Sequence, residues 1–270
     1  MDRPQLIASD VDGTLLDPAE RLSPRTAAVV HQVAEEGVPF ILVTGRPARW
    51  IAPVAGPARL EGYAVCANGA VLYDIAADRV LNVHGLEPVV LHDIADALAD
   101  ALPGCRLAAE RAGRSAIDKD LRPFVIEPDY HSPWGDGEGS TAPRAEVLGH
   151  TAVKLLVSVR GMTSDEMADA ARTVLRDAVD ITFSTGAGLI EISAPGITKA
   201  AGLAEVAGKF SVPAERTIAF GDMPNDLAML RWAGHGVAMA NAHPAVLEAA
   251  DEITAPNSED GVAQVLERWF

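Results

Sequence analysis

The chain of 270 residues is 49% hydrophobic and 5% aromatic, long enough for one large or two modest domains around a sizeable core. Its 38 Asp and Glu outweigh 22 Lys and Arg, for a formal net charge of -16. A surface of that sign repels nucleic-acid phosphates and anionic lipid headgroups, so neither is an expected partner, and any phosphate site must be made locally positive by a metal ion, Lys, Arg or backbone N–H groups.

The first ten residues carry two acids and a Pro within a short apolar run, unlike a basic and then apolar leader. No apolar stretch approaches the roughly 20 residues of a membrane helix. Residues 6–9 read as a buried strand that stops at an acidic, Gly-containing turn. Residues 24–36 have helical spacing, with Ser23 as N-cap, Pro24 at the first position and Gly37 as the stop. Residues 40–43 form a second buried strand ending at Thr44-Gly45, residues 46–55 a helix, and residues 63–66 a third strand ending at Asn68-Gly69.

The middle of the chain has another pattern. Residues 88–102 read as a helix, 128–143 as a long loop dense in Gly, Pro, Ser and Asp, 152–159 as a strand and 165–178 as a helix. Residues 181–184 and 189–192 read as a hairpin across Thr185-Gly186-Ala187-Gly188. Alternation then resumes, with helices at 198–210, 225–232, 244–250 and 260–269 and strands at 217–220 and 236–239. The expected fold is α/β: a doubly wound, Rossmann-like parallel sheet core from residues 1–83 and 193–270, with an α+β insert on an antiparallel sheet at 84–192.

Four short segments fall at predicted strand ends, and in an open parallel sheet those ends line one crevice. In Asp10-Val11-Asp12-Gly13-Thr14 two carboxylates lie two residues apart. Close like charges call for a cation, and oxygen-only ligation favours Mg2+ over zinc. One carboxylate is then suited to attack phosphorus and the other to proton transfer. Thr44-Gly45-Arg46 offers a hydroxyl and backbone N–H groups for phosphoryl oxygens. Lys199, at a helix start, places a cation beside a helix N-terminus. Gly221-Asp222-Met223-Pro224-Asn225-Asp226 sets two carboxylates four residues apart on a strand-to-helix turn. Each piece alone is ordinary, as solvated turn, connection, surface Lys or N-cap. Their order, each at a strand end, is what carries the argument.

Together the four segments resemble the motifs of the haloacid dehalogenase superfamily, in its Cof-type phosphatase branch. Asp10-Val11-Asp12-Gly13-Thr14-Leu15-Leu16 is similar to the first motif, Thr44-Gly45-Arg46 to the second, Lys199 to the third and the 221–226 segment to the fourth. Asn68-Gly69-Ala70 matches a loop usual in that branch, and Ala200 stands where many relatives have Gly. The resemblance implies Asp10 as nucleophile and Asp12 as general acid/base. It implies a metal held by the Asp10 carboxylate, the Asp12 carbonyl and Asp222, with Asp226 orienting metal-bound water or Lys199. Thr44, Gly45, Asn225 and Lys199 would hold the phosphoryl group, Arg46 would meet substrate or phosphate or else form a surface ion pair, and the insert would be a cap. An acid at position 12 favours phosphoryl transfer over carbon–halogen cleavage.

The expectation is a cytoplasmic, Mg2+-dependent phosphatase of small phosphorylated metabolites such as sugar phosphates or nucleotides. A phosphomutase of the phosphomannomutase type is the alternative, and a non-enzymatic binding protein is disfavoured because every charged catalytic position is filled. The two cysteines, Cys66 and Cys105, suit a reduced compartment and no zinc set. His235 and His243 read as surface or capping residues, Asp17 and Glu20 as solvated, and Trp134 as a closure element or a pin for its loop.

Overall fold

A computed structural model describes residues 2–131 and 139–270; Trp134 and the middle of the expected 128–143 loop lie outside them. Strand β1 (Leu6–Ser9) is wholly buried. Helix α1 (Pro24–Glu35) starts as its sequence directs, with the Ser23 hydroxyl accepting from the Thr26 N–H at 3.0 Å. Strand β2 (Phe40–Val43) follows. The single helix expected at 46–55 does not form. A 3-10 turn (Ala48–Trp50) precedes α2 (Ala52–Ala58). Pro53 stands in the first turn of α2, where its missing N–H costs no helical hydrogen bond, and Arg46 is left on the connection before it.

Strand β3 (Tyr63–Cys66) turns back into β4 (Val71–Asp74), which pairs with it antiparallel, and β5 (Arg79–Val83) comes next. Then come α3 (Pro88–Ala101), β6 (Arg106–Glu110), β7 (Phe124–Ile126), β8 (Ser140–Thr141), α4 (Arg144–Val147) and β9 (Lys154–Ser158). Helix α5 (Ser164–Leu175) opens on a capping box between Thr163 and Glu166, and β10 (Asp180–Thr182) with β11 (Leu189–Ser193) makes the expected hairpin. The chain ends with α6 (Lys199–Phe210), β12 (Thr217–Gly221), α7 (Leu227–Trp232), β13 (His235–Met239), α8 (Pro244–Ala249), β14 (Glu252–Thr254) and α9 (Gly261–Leu266).

Contacts divide the chain into two compact units, one from residues up to Leu81 with Thr198–Phe270, the other Asn82–Ile197. The division read from sequence lay at 83/84 and 192/193. The first unit is built on an eight-stranded sheet of order β14-β13-β12-β1-β2-β3-β4-β5. From β14 to β3 every pair is parallel; the antiparallel turn-back at β3–β4 makes the sheet mixed. The chain winds one way from β1 through β2 to β3 and the other way from β12 through β13 to β14. The order therefore reverses between β1 and β12, which is where such sheets bind ligands at their carboxyl ends. Leu203, Val206 and Ala207 of α6 and Met229 and Leu230 of α7 pack with Leu6, Ala8, Ile41 and Val65 of the sheet. Each such large apolar side chain contributes about 1.5–3 kcal/mol by leaving water.

The second unit carries a six-stranded sheet, β10-β11-β9-β6-β7-β8, antiparallel except for β7–β8. The far end of the expected 128–143 loop is thus part of a sheet edge. No helix among the described residues is long and apolar enough to cross a membrane.

Candidate active site

Asp10 follows β1 directly and stays in register with its neighbour, its N–H donating to the Phe220 carbonyl at 3.0 Å. The chain then makes one wide turn over residues 11–15, closed by the Leu16 N–H on the Val11 carbonyl at 2.9 Å. Gly13 sits in that turn at φ +74°, and a Cβ there would lie 2.2 Å from Asp222 Oδ2. Only glycine meets both demands. The Thr14 hydroxyl donates to Asp222 Oδ1 at 2.9 Å, and the Asn241 amide donates to the Gly13 carbonyl at 2.8 Å.

Across the switch point, β12 delivers Asp222, and a 3-10 turn (Pro224–Asp226) leads into α7. Asp226 closes that turn: its Oδ2 accepts from the N–H groups of Asp222 and Met223, each at 3.0 Å. Its Oδ1 accepts from Lys199 Nζ at 2.7 Å, and the same ammonium donates to Asp10 Oδ1 at 2.6 Å. Lys199 opens α6, whose N-cap hydroxyl on Thr198 accepts from the Ala201 N–H. Its side chain is fully buried. A lysine withdrawn from water persists only if carboxylates surround it, and here two do.

Three buried carboxylates, Asp10, Asp222 and Asp226, face one buried ammonium, so two negative charges are left over when all are ionised. Burial, then the Asp226 charge, raises the Asp10 carboxyl well above its usual range, although Lys199 pulls the other way. Asp222 is pushed up to about 7 by burial and by Asp226, against the Thr14 hydrogen bond. Burial works against the Lys199 charge, but Asp10 and Asp226 outweigh it and raise its pKa. Oxygens of the three carboxylates lie within 4.8 Å of one another. An all-oxygen set short of two positive charges fits a hard divalent cation.

The remaining sequence-derived residues fall into two further groups. Arg46 grips Asp12 with both arms of its guanidinium, Nε to Oδ2 at 2.8 Å and Nη2 to Oδ1 at 2.5 Å. Asp12 keeps half of its side chain exposed (52%) while Arg46 is mostly covered (14%). Thr44 is buried at the end of β2, where its hydroxyl accepts from the Arg46 N–H at 3.0 Å and its carbonyl from the Asn68 N–H at 3.0 Å; Gly45 follows it on the connection to Arg46. Asn225 donates its amide N–H to Asn68 Oδ1 at 3.1 Å, and its own Oδ1 is buried without a donor. Sequence reasoning gave no role to Thr14 or Asn241. Thr14 lay inside a recognised segment, whereas nothing in its local sequence marks Asn241. His243 caps α8 through Nδ1 and His235 pairs with Glu252. Both cysteines are free and buried.

A family model for haloacid dehalogenase-like hydrolases matches residues 7–266. The chain belongs to that family. Among haloacid dehalogenase-like hydrolases it is 32% identical over 277 residues to the 5-amino-6-(5-phospho-D-ribitylamino)uracil phosphatase YitU of Bacillus subtilis, covering 99% of this chain and 98% of that one. It is 27% identical to the pyridoxal phosphate phosphatase YbhA of Escherichia coli, over 97% of both chains. A solved haloacid dehalogenase-like hydrolase from Bacteroides thetaiotaomicron shares the fold at a TM-score of 0.75 and 24% identity, over 99% of this chain and 100% of that one. The protein is accordingly a haloacid dehalogenase-like phosphoric monoester hydrolase.

Proposed function

We propose that the enzyme hydrolyses small phosphorylated metabolites, sugar phosphates, nucleotides or similar monoesters, through a phosphorylated Asp10. The observation that carries this reading is the buried Lys199 ammonium bonded at once to Asp10 and Asp226, with Asp222 alongside. Asp10 attacks phosphorus as the bond to the leaving oxygen breaks, and Asp12 gives that oxygen a proton. Asp12 then takes a proton from the water that attacks the acyl phosphate, which releases phosphate and restores Asp10. For the first of these steps Asp12 carries a proton on one oxygen, which gives up its Arg46 hydrogen bond and donates to the leaving oxygen instead. Lys199 offsets the charge that builds on the phosphoryl oxygens, and Thr44, Gly45, Arg46 and Asn225 are the groups assigned to hold them. A Mg2+ ion, when bound, would be held by the Asp10 and Asp222 carboxylates and the Asp12 carbonyl, with Asp226 behind them, and would supply positive charge to the phosphoryl group. The unit Asn82–Ile197 is assigned the choice of leaving group, as a cap.

The names of YitU and YbhA, one a phosphoribityl compound phosphatase and the other a pyridoxal phosphate phosphatase, support a small-metabolite substrate and do not favour a phosphomutase. Free, buried cysteines fit a cytoplasmic setting. Asp10→Asn should abolish hydrolysis of 4-nitrophenyl phosphate in the presence of Mg2+ while circular dichroism stays unchanged. A variant that retains wild-type turnover rules out the mechanism. Labelled phosphate from a sugar phosphate should appear as orthophosphate; label that stays in sugar would point to the mutase.

A further inference from the structure

Residues Ala67, Asn68 and Gly69 run in succession through the left-handed region, at φ of 48°, 58° and 105°. Two of them carry a Cβ, and all three are buried. Such a conformation persists only where its surroundings over-determine it, and it concentrates at functional sites. The surroundings here are the other candidate site segments. The Ala67 N–H donates to the Arg46 carbonyl and the Asn68 N–H to the Thr44 carbonyl, each at 3.0 Å. Gly69 lies so close to the start of α6 that a Cβ would come within 2.1 Å of the Thr198 carbonyl, one residue before Lys199. The Asn68 side chain reaches Asn225, the neighbour of Asp226.

We infer that Asn68 is a positioning residue that fixes which way the Asn225 amide faces, an inference that rests on the phosphatase reading above. An amide turned by half a revolution exchanges its donor and its acceptor. Asn68 presents an acceptor oxygen from a locked backbone, so it takes the Asn225 N–H and directs the Asn225 carbonyl away. No described residue donates to that buried carbonyl. Its complement is an O–H donor at the phosphoryl site, supplied by a protonated phosphate oxygen or by the attacking water. Asn225 thereby serves as an acceptor in addition to the phosphoryl-holding role expected of it. Asparagine is the side chain with an acceptor that best tolerates the left-handed backbone at position 68.

Asn68→Gly keeps that backbone conformation and removes the side chain that carries the acceptor. Turnover of 4-nitrophenyl phosphate should fall about tenfold in kcat with little change in KM or melting temperature. Asn225→Ala should lose at least as much, and the double variant no more than Asn225→Ala alone. Weaker binding of inorganic phosphate at pH 5.5 in Asn68→Gly assigns the donor to phosphate, and a build-up of phosphoenzyme assigns it to water. Losses that multiply in the double variant, or an Asn68→Gly enzyme with wild-type kcat, overturn the inference. A wild-type protein without turnover of any phosphate ester sinks the parent reading instead. The coupling is then read from calorimetric binding of inorganic phosphate to the same four proteins.

Discussion

Lys199 and Asp226 show how much a single side chain carries here. Asp226 closes the turn after β12 with one oxygen and holds the Lys199 ammonium with the other, so its loss disturbs a backbone turn and a charge balance together. Lys199→Ala should cost about 3–5 kcal/mol of stability in metal-free protein, because it leaves buried carboxylates unpaired, and roughly 100- to 1000-fold in kcat. Chemical denaturation and steady-state kinetics test the two separately, and a loss confined to stability would deny Lys199 a part in the chemistry. Arg46→Lys keeps the charge but not the two-armed grip on Asp12, and it should lower kcat about tenfold. An unchanged rate would show that the grip is incidental. These residues were legible in the sequence because carboxylates and a lysine at strand ends have few structural explanations in common. Asn241 was not: its amide donates to the Gly13 carbonyl and accepts from the Asn257 N–H, and nothing around it in sequence announces a partner 228 residues away.

At the scale of elements, apolar runs of four or five residues ending in Gly, Asp or Thr gave the core strands of the sheet within a residue of their ends. What escaped was short or unpatterned. Strand β6 is Arg-Leu-Ala-Ala-Glu, without a β-branched residue; β8 has two exposed residues; and β4 is set by its pairing with β3 more than by its own composition. Two glycines separate tolerance from necessity. Gly13 and Gly37 have nearly equal φ, +74° and +73°, but a Cβ on Gly37 meets nothing within 4 Å, whereas one on Gly13 runs into Asp222. Gly37→Ala should therefore cost about 1 kcal/mol of stability and no activity, while Gly13→Ala should remove most of the activity. If both variants behave alike in a thermal melt and a phosphatase assay, backbone strain alone accounts for Gly13.

For the whole molecule, the two uncompensated charges set how the protein responds to pH. Asp222 has its pKa raised from 3.8 to about 7 on folding. The metal-free native state therefore binds more protons than the unfolded chain between those values, and this group's contribution to stability falls as pH rises from about 4 to 7. A cation that replaces the proton reverses the loss. The rise in melting temperature on adding Mg2+ should be larger at pH 8 than at pH 6, measured against a chelated control. Equal shifts at the two pH values would remove Asp222 from the metal's ligands.

Strand β1 lies between β2 and β12, and β12 begins at residue 217. A nascent chain thus emerges from the ribosome with its middle strand bare along one edge until residue 217 and the strand it opens have been made. The uninterrupted stretch Asn82–Ile197 is by then wholly synthesised. Such an exposed edge is a template for pairing with neighbouring chains. Truncation before residue 217 should accordingly yield aggregates, with Asp10 and Lys199 present but the strand that brings Asp222 missing.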